Sequence, residues 1–163
     1  MSSISYLEIL LLALPETVLV ITALAVLATD LLSLRNESLP VRMGLCATLA
    51  VVGCIAAGVL SWISHGAGNV GDGMFVVTPL IQLVKIGLLV IAVPALVVSA
   101  QGRFTTHAGE YIALILFAVI GMMFLVSAED LLMVFVALEM TSLSLYILTA
   151  FNKHQVKKCY PDH

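Results

Sequence analysis

One glutamate stands near the middle of an apolar run that carries no other charge. Glu139 lies in Leu131-Leu-Met-Val-Phe-Val-Ala-Leu-Glu-Met-Thr-Ser-Leu-Ser-Leu-Tyr-Ile-Leu-Thr-Ala-Phe151. The run is long enough to cross a bilayer, which takes about 20 residues. A charge at that depth costs roughly 2.5–3.5 kcal/mol even on the most lenient insertion scales. Acids kept there face a protein interior or a water-filled path, and they commonly carry protons or ions. Glu139 is therefore expected to sit in a protein interior and transfer protons. The plainer alternative is a protonated carboxyl that only bonds a neighbouring helix.

On a helical wheel Glu139, Ser142 and Tyr146 follow 3–4 spacing and share one face, with Thr149 close to it one turn on. Their hydroxyls can relay a proton or hold water. Small hydroxyl residues also hold membrane helices together, which is the competing use of Ser142 and Thr149. Thr141 and Ser144 lie off the stripe and read as packing groups. Lys85 is the second charge inside an apolar run. It is read either as part of a charged interior or as one half of an ion pair with an acid on a neighbouring helix or subunit. Glu16 follows Pro15 at a helix start, where an acid suits the helix dipole. Asp30 is expected near headgroups, and both acids read as structural or partner-contacting. Asp130 reads as a cap for the last helix.

The elements that must position these groups follow from composition. The 163 residues are 61% hydrophobic and 10% charged, with a mean hydropathy of +1.15. A soluble domain carries about 25% charged residues, so the chain reads as an integral membrane protein. Five apolar segments are expected to span the bilayer, over about residues 9–34, 41–64, 74–100, 110–128 and 130–151. The fold class is all-α, a polytopic membrane helix bundle. Residues 154–163 form a polar tail. Pro79 and Pro94 predict kinks in the third span. Cys46 and Cys54 are about 12 Å apart along one helix, too far for a disulfide. The four histidines (His65, His107, His154 and His163) are scattered, so no metal, haem or iron–sulfur cluster is expected. No basic stripe points to nucleic acid. The absence of Lys or Arg before the first apolar run, with Glu8 in its place, argues against a cleaved secretory signal.

Counting faces by alternation puts Arg35, Arg42, Arg103, Lys153, Lys157 and Lys158 on one side. The seventh basic residue is Lys85, inside a span. Positive-inside bias then predicts an outside N-terminus and a cytoplasmic C-terminus.

These residues carry a family resemblance. His107-Ala-Gly-Glu-Tyr-Ile-Ala-Leu-Ile-Leu-Phe117, Gly121-Met-Met, Ser127-Ala-Glu-Asp-Leu-Leu132 and Ala137-Leu-Glu-Met-Thr-Ser-Leu-Ser-Leu-Tyr-Ile-Leu-Thr-Ala-Phe-Asn-Lys153 resemble helices four and five of subunit N of bacterial NADH-quinone oxidoreductase. That subunit is the counterpart of mitochondrial subunit 2 of respiratory complex I. Leu14-Pro-Glu16 and Asp30 fit the family's first helix. The resemblance implies an antiporter-like proton channel in a membrane arm in the bacterial inner membrane, with other membrane-arm subunits as partners. The family's fifth-helix glutamate maps to Glu139, where it works opposite a lysine on a later, broken helix. No cofactor is implied on this chain; NADH, FMN, iron–sulfur clusters and quinone belong to other subunits.

The chain departs from the family in extent. The family protein has about fourteen helices, including two inverted five-helix repeats. Only five helices are read here, and the pattern drifts after Lys153. That drift reads as a frameshift, a premature stop or a mistaken gene boundary. The competing readings are an inactive or structural membrane fragment and a subunit of a multisubunit cation/proton antiporter.

Overall fold

In hydrocarbon every backbone N–H and C=O must find its partner within the protein, and a helix satisfies them segment by segment. The computed structural model describes residues 13–32, 39–63, 68–70, 75–101 and 108–159. It is an all-α bundle of five helices, each long and apolar enough to cross a membrane. They are α1 (Leu14–Leu32), α2 (Leu39–Ile63), α3 (Pro79–Gln101), α4 (Ala108–Ser127) and α5 (Leu131–Cys159). Between α2 and α3 a short antiparallel pair, β1 (Gly68–Val70) and β2 (Phe75–Val77), aligns Asn69 with Val76. Arg35, Arg103, His65, His107 and His163 lie outside the described residues.

Two sequence expectations change. The third apolar run is not helical through its first described residues; Phe75–Val77 form strand β2, and the helix begins at Pro79. Pro79 thus makes no kink. It occupies the first helical position, where the missing N–H costs nothing. Thr78 caps the helix: its Oγ1 accepts from Ile81 N at 3.3 Å and its carbonyl from Gln82 N at 3.0 Å. Pro94 does lie inside α3. Helix α5 also continues past the apolar run, through residue 153 to Cys159.

The helices alternate in direction. The end holding the 128–130 turn gathers the starts of α1, α3 and α5 and the ends of α2 and α4. The opposite end gathers the rest. Helix α4 is the centre of the bundle, packed against α1, α2, α3 and α5. Its span is 56% buried, against 11% for α5. Leu116, Ile120 and Met123 of α4 are fully enclosed, in one core cluster with Leu19 of α1 and Leu96 of α3. Lipid tails are as apolar as leucine, so this core is held by close packing rather than by escape from water. Small residues allow that packing. Ala23, Ala50 and Ala57 are fully buried, and Gly53 meets Thr22 across the α1–α2 contact.

Candidate functional site

The charged and polar side chains fall into three places. The first is at the turn end. Glu16 stands in the first turn of α1 and Lys85 on α3, six residues from the helix start. Both helices begin at the same end, so the two charges share a depth. Both side chains are fully buried, and Glu16 Oε1 lies 2.5 Å from Lys85 Nζ. Of the two uses open to Lys85 in the sequence, the geometry realises the ion pair with an acid on another helix. Gln82, one turn before Lys85, is buried and hydrogen-bonded to Ser61 near the end of α2.

The second place is the opposite end. Asp30, two residues before the end of α1, is buried among the helices, at 8% exposure, and its role is structural. Arg42 Nε donates to its Oδ1 and Arg42 Nη2 to its Oδ2, each at 2.9 Å. The backbone N–H of Gly109, at the start of α4, donates to Oδ2 at 3.0 Å. Its burial follows from pairing: a carboxylate that takes three N–H donors can be enclosed by protein. Gly109 is required there because a Cβ would run into the Asp30 side chain.

The third place is α5. Its inward face is set by Ala137 and Ser144, both buried, and by Thr141, which lies where a Cβ on Gly121 of α4 would stand. Glu139 is on the other face. It is exposed, among Phe135, Val136, Leu138 and Leu143, which are exposed too. The sequence reading expects an interior here, and within these five helices Glu139 does not reach one. The reason is geometric. Helix α5 packs extensively on α4 alone, and one neighbour covers one face.

The stripe shares that outward face in part. Tyr146 is 72% exposed. Ser142 Oγ donates to the carbonyls of Leu138 (2.8 Å) and Glu139 (3.2 Å), and Thr149 Oγ1 to that of Tyr146 at 2.8 Å. These hydroxyls close onto their own helix while remaining acceptors. Thr141 and Ser144 are packing groups as read, and each bonds back to its own helix. Lys85 is not beside this stripe; its partner is Glu16, with α4 between α3 and α5.

Sequence reasoning missed the Glu16–Lys85 partnership and the Gly109 donor. One signal was available for the first. Two opposite charges at similar depth, on helices entering from the same end, have every electrostatic reason to meet in hydrocarbon. Among the described residues no group of three His, Cys, Asp or Glu side chains is placed to hold a metal.

No family model matches the chain. Individual proteins do. It is similar to NADH-quinone oxidoreductase subunit N 2 of Acidobacterium capsulatum, with 42% identity over 94% of this chain and 33% of the relative. The subunit N of Laribacter hongkongensis is 36% identical over 88% of this chain and 29% of its own length. That of Granulibacter bethesdensis is 33% identical over 90% and 30%. The chain thus spans about a third of the length of the curated relatives it matches.

Proposed function

We propose that this chain is a portion of a subunit N of NADH-quinone oxidoreductase, and that it contributes one wall of a proton path in the membrane arm of that complex. The similarity to named subunits N along nearly the whole chain carries this reading. The exposed Glu139 supports it in a specific way. A carboxylate on a lipid-facing helix surface is costly, whereas the same face covered by further helices of a longer subunit gives a carboxyl at mid-membrane depth with protein around it. Glu139 is the proton-transferring group of the proposal; Ser142, Tyr146 and Thr149 supply oxygen atoms along its helix for water or a relayed proton. Quinone reduction, NADH, flavin and iron–sulfur chemistry are assigned to partner subunits. The N-terminus is placed outside the cell membrane and the C-terminal end of α5 in the cytoplasm, following the basic residues.

The test replaces Glu139 with Gln in the whole subunit within its membrane complex. The substitution keeps size and hydrogen bonding but cannot ionise. Proton pumping per NADH oxidised is expected to fall while the assembled complex persists. Undiminished pumping in the assembled variant would end the assignment. The outward Glu139 also favours one competing reading for the chain by itself: five helices alone, with the carboxyl facing lipid, form an inactive membrane piece. Reconstituting the 163-residue chain alone in vesicles is expected to give no proton flux above that of empty vesicles.

A further inference from the structure

A fully buried ion pair at one end of the bundle and a partly buried one at the other fasten the helices, and they differ in how fully their carboxylate oxygens are satisfied. Both oxygens of Asp30 are bonded: Oδ1 and Oδ2 each take an Arg42 N–H, and Oδ2 also takes the Gly109 N–H. Those of Glu16 are not both paired. Its Oε1 is against Lys85 Nζ, while Oε2, equally enclosed, takes no hydrogen bond among the described residues. A buried pair whose only task is to fasten helices is stabilised by satisfying its remaining lone pairs, because an orphaned charged oxygen costs more than a neutral one. The open oxygen points to a proton or a water. Further polar groups converge on this end from the neighbouring helices: Gln82 and Lys85 on one face of α3, and Ser61 from α2.

We propose that Glu16 and Lys85 form a second proton-carrying site, on other helices and apart from Glu139. This rests on the reading of the chain as part of a proton-translocating subunit. In the resting pair the proton is on Nζ and Glu16 is a carboxylate. A proton arriving from water forms an O–H bond at Oε2 and discharges the anion. Lys85 then faces a neutral carboxyl, and an N–H proton passes from its ammonium to water. Transfer of the Glu16 proton to the free amine restores the pair. One proton enters at the carboxyl, one leaves at the amine, and no other bond changes.

The experiment compares Glu16→Gln, Lys85→Met and the double variant in membranes containing the whole complex. Each single variant removes one charge of the buried pair and is expected to reduce the amount of assembled complex. The double variant removes both charges, and replacing a buried pair with neutral groups is often neutral for stability, so assembly is expected to return. Assembled double variant that oxidises NADH with fewer protons moved per NADH supports the proposal. Wild-type pumping in that variant overturns it and leaves a fastener. Infrared difference spectroscopy reads the carboxyl without needing the double variant. A carboxylic-acid band that forms during turnover, shifts in Glu16→Asp and persists in Glu139→Gln supports the site. A turnover spectrum with no band sensitive to Glu16→Asp overturns it. This signal belongs to Glu16 itself, so it stands or falls separately from the pumping result for Glu139→Gln.

Discussion

Asp30 shows how much one side chain can organise. It ties the end of α1 to the start of α2 through Arg42 and to the first turn of α4 through Gly109 N–H. Removing it with Asp30→Ala leaves the Arg42 guanidinium, 17% exposed, without its counter-charge and the α4 terminus without an acceptor. Breaking a buried pair from one side costs about 3–5 kcal/mol, and partial exposure of Arg42 places the expected loss at the lower end. Urea unfolding of the detergent-solubilised protein, followed by helical circular dichroism, measures it. The double variant Asp30→Ala/Arg42→Leu is expected to recover part of the loss, since no charge is then stranded. Equal stability of Asp30→Ala and the parent protein would show that the clamp contributes nothing. At this scale the sequence announced the charges but not their partners. Asp30 and Gly109 are far apart along the chain, and nothing in either local context names the other. Glu16 looked like a dipole-matching acid because Pro15-Glu16 suits a helix start, and that local explanation hid its long-range one.

Among elements, the α4–α5 contact matters most for the proposed site, because it decides which way Glu139 faces. Gly121 is where the two helices come closest. A Cβ there would meet Thr141 Oγ1, and it would stand 3.1 Å from both Ala137 O and Thr141 N. The obstructing backbone atoms cannot swing aside as a side chain can. Gly121→Val is therefore expected to push α5 away and destabilise the pair by about 1–3 kcal/mol, the usual cost of overfilling a packed contact. Thr141→Ala should cost less, because the Thr141 hydroxyl bonds only its own helix, to Ala137 O. A zero-length disulfide trap between cysteines placed across the α4–α5 contact would report the separation. Trapping as efficient in Gly121→Val as in the parent would show that the backbones do not approach as described. The five helices themselves were legible, since apolar runs of membrane length leave little choice. The start of α3 was not, because Thr78-Pro79 was read as part of a continuous run instead of as a cap and first turn. The buried face of α5 was not legible either. Membrane helices are apolar all round, so no amphipathic period marks the side that meets protein rather than lipid.

For the whole molecule, charge distribution makes a claim that packing alone does not. Arg42 lies on the end of the bundle opposite the 128–130 turn, and Lys153, Lys157 and Lys158 lie in the last part of α5, which runs toward that same end. The turn end holds no basic residue among those described except Lys85, which is enclosed with Glu16. A bundle so polarised is expected to insert with the 128–130 turn outside, because Lys and Arg are retained on the cytoplasmic face. Accessibility of single cysteines tests this in a background where Cys46, Cys54 and Cys159 are replaced by serine or alanine. Glu129 is exposed in the turn, so Glu129→Cys should react with a membrane-impermeant maleimide added to intact cells or spheroplasts. Lys153→Cys should stay unlabelled until the membrane is opened. The reverse pattern would invert the bundle. The Glu16–Lys85 pair would then lie toward the cytoplasm and the Asp30 clamp toward the outside. Labelling of both positions in intact cells would instead show a chain that does not span the membrane as five alternating helices, and the mid-membrane placement of Glu139 would go with it.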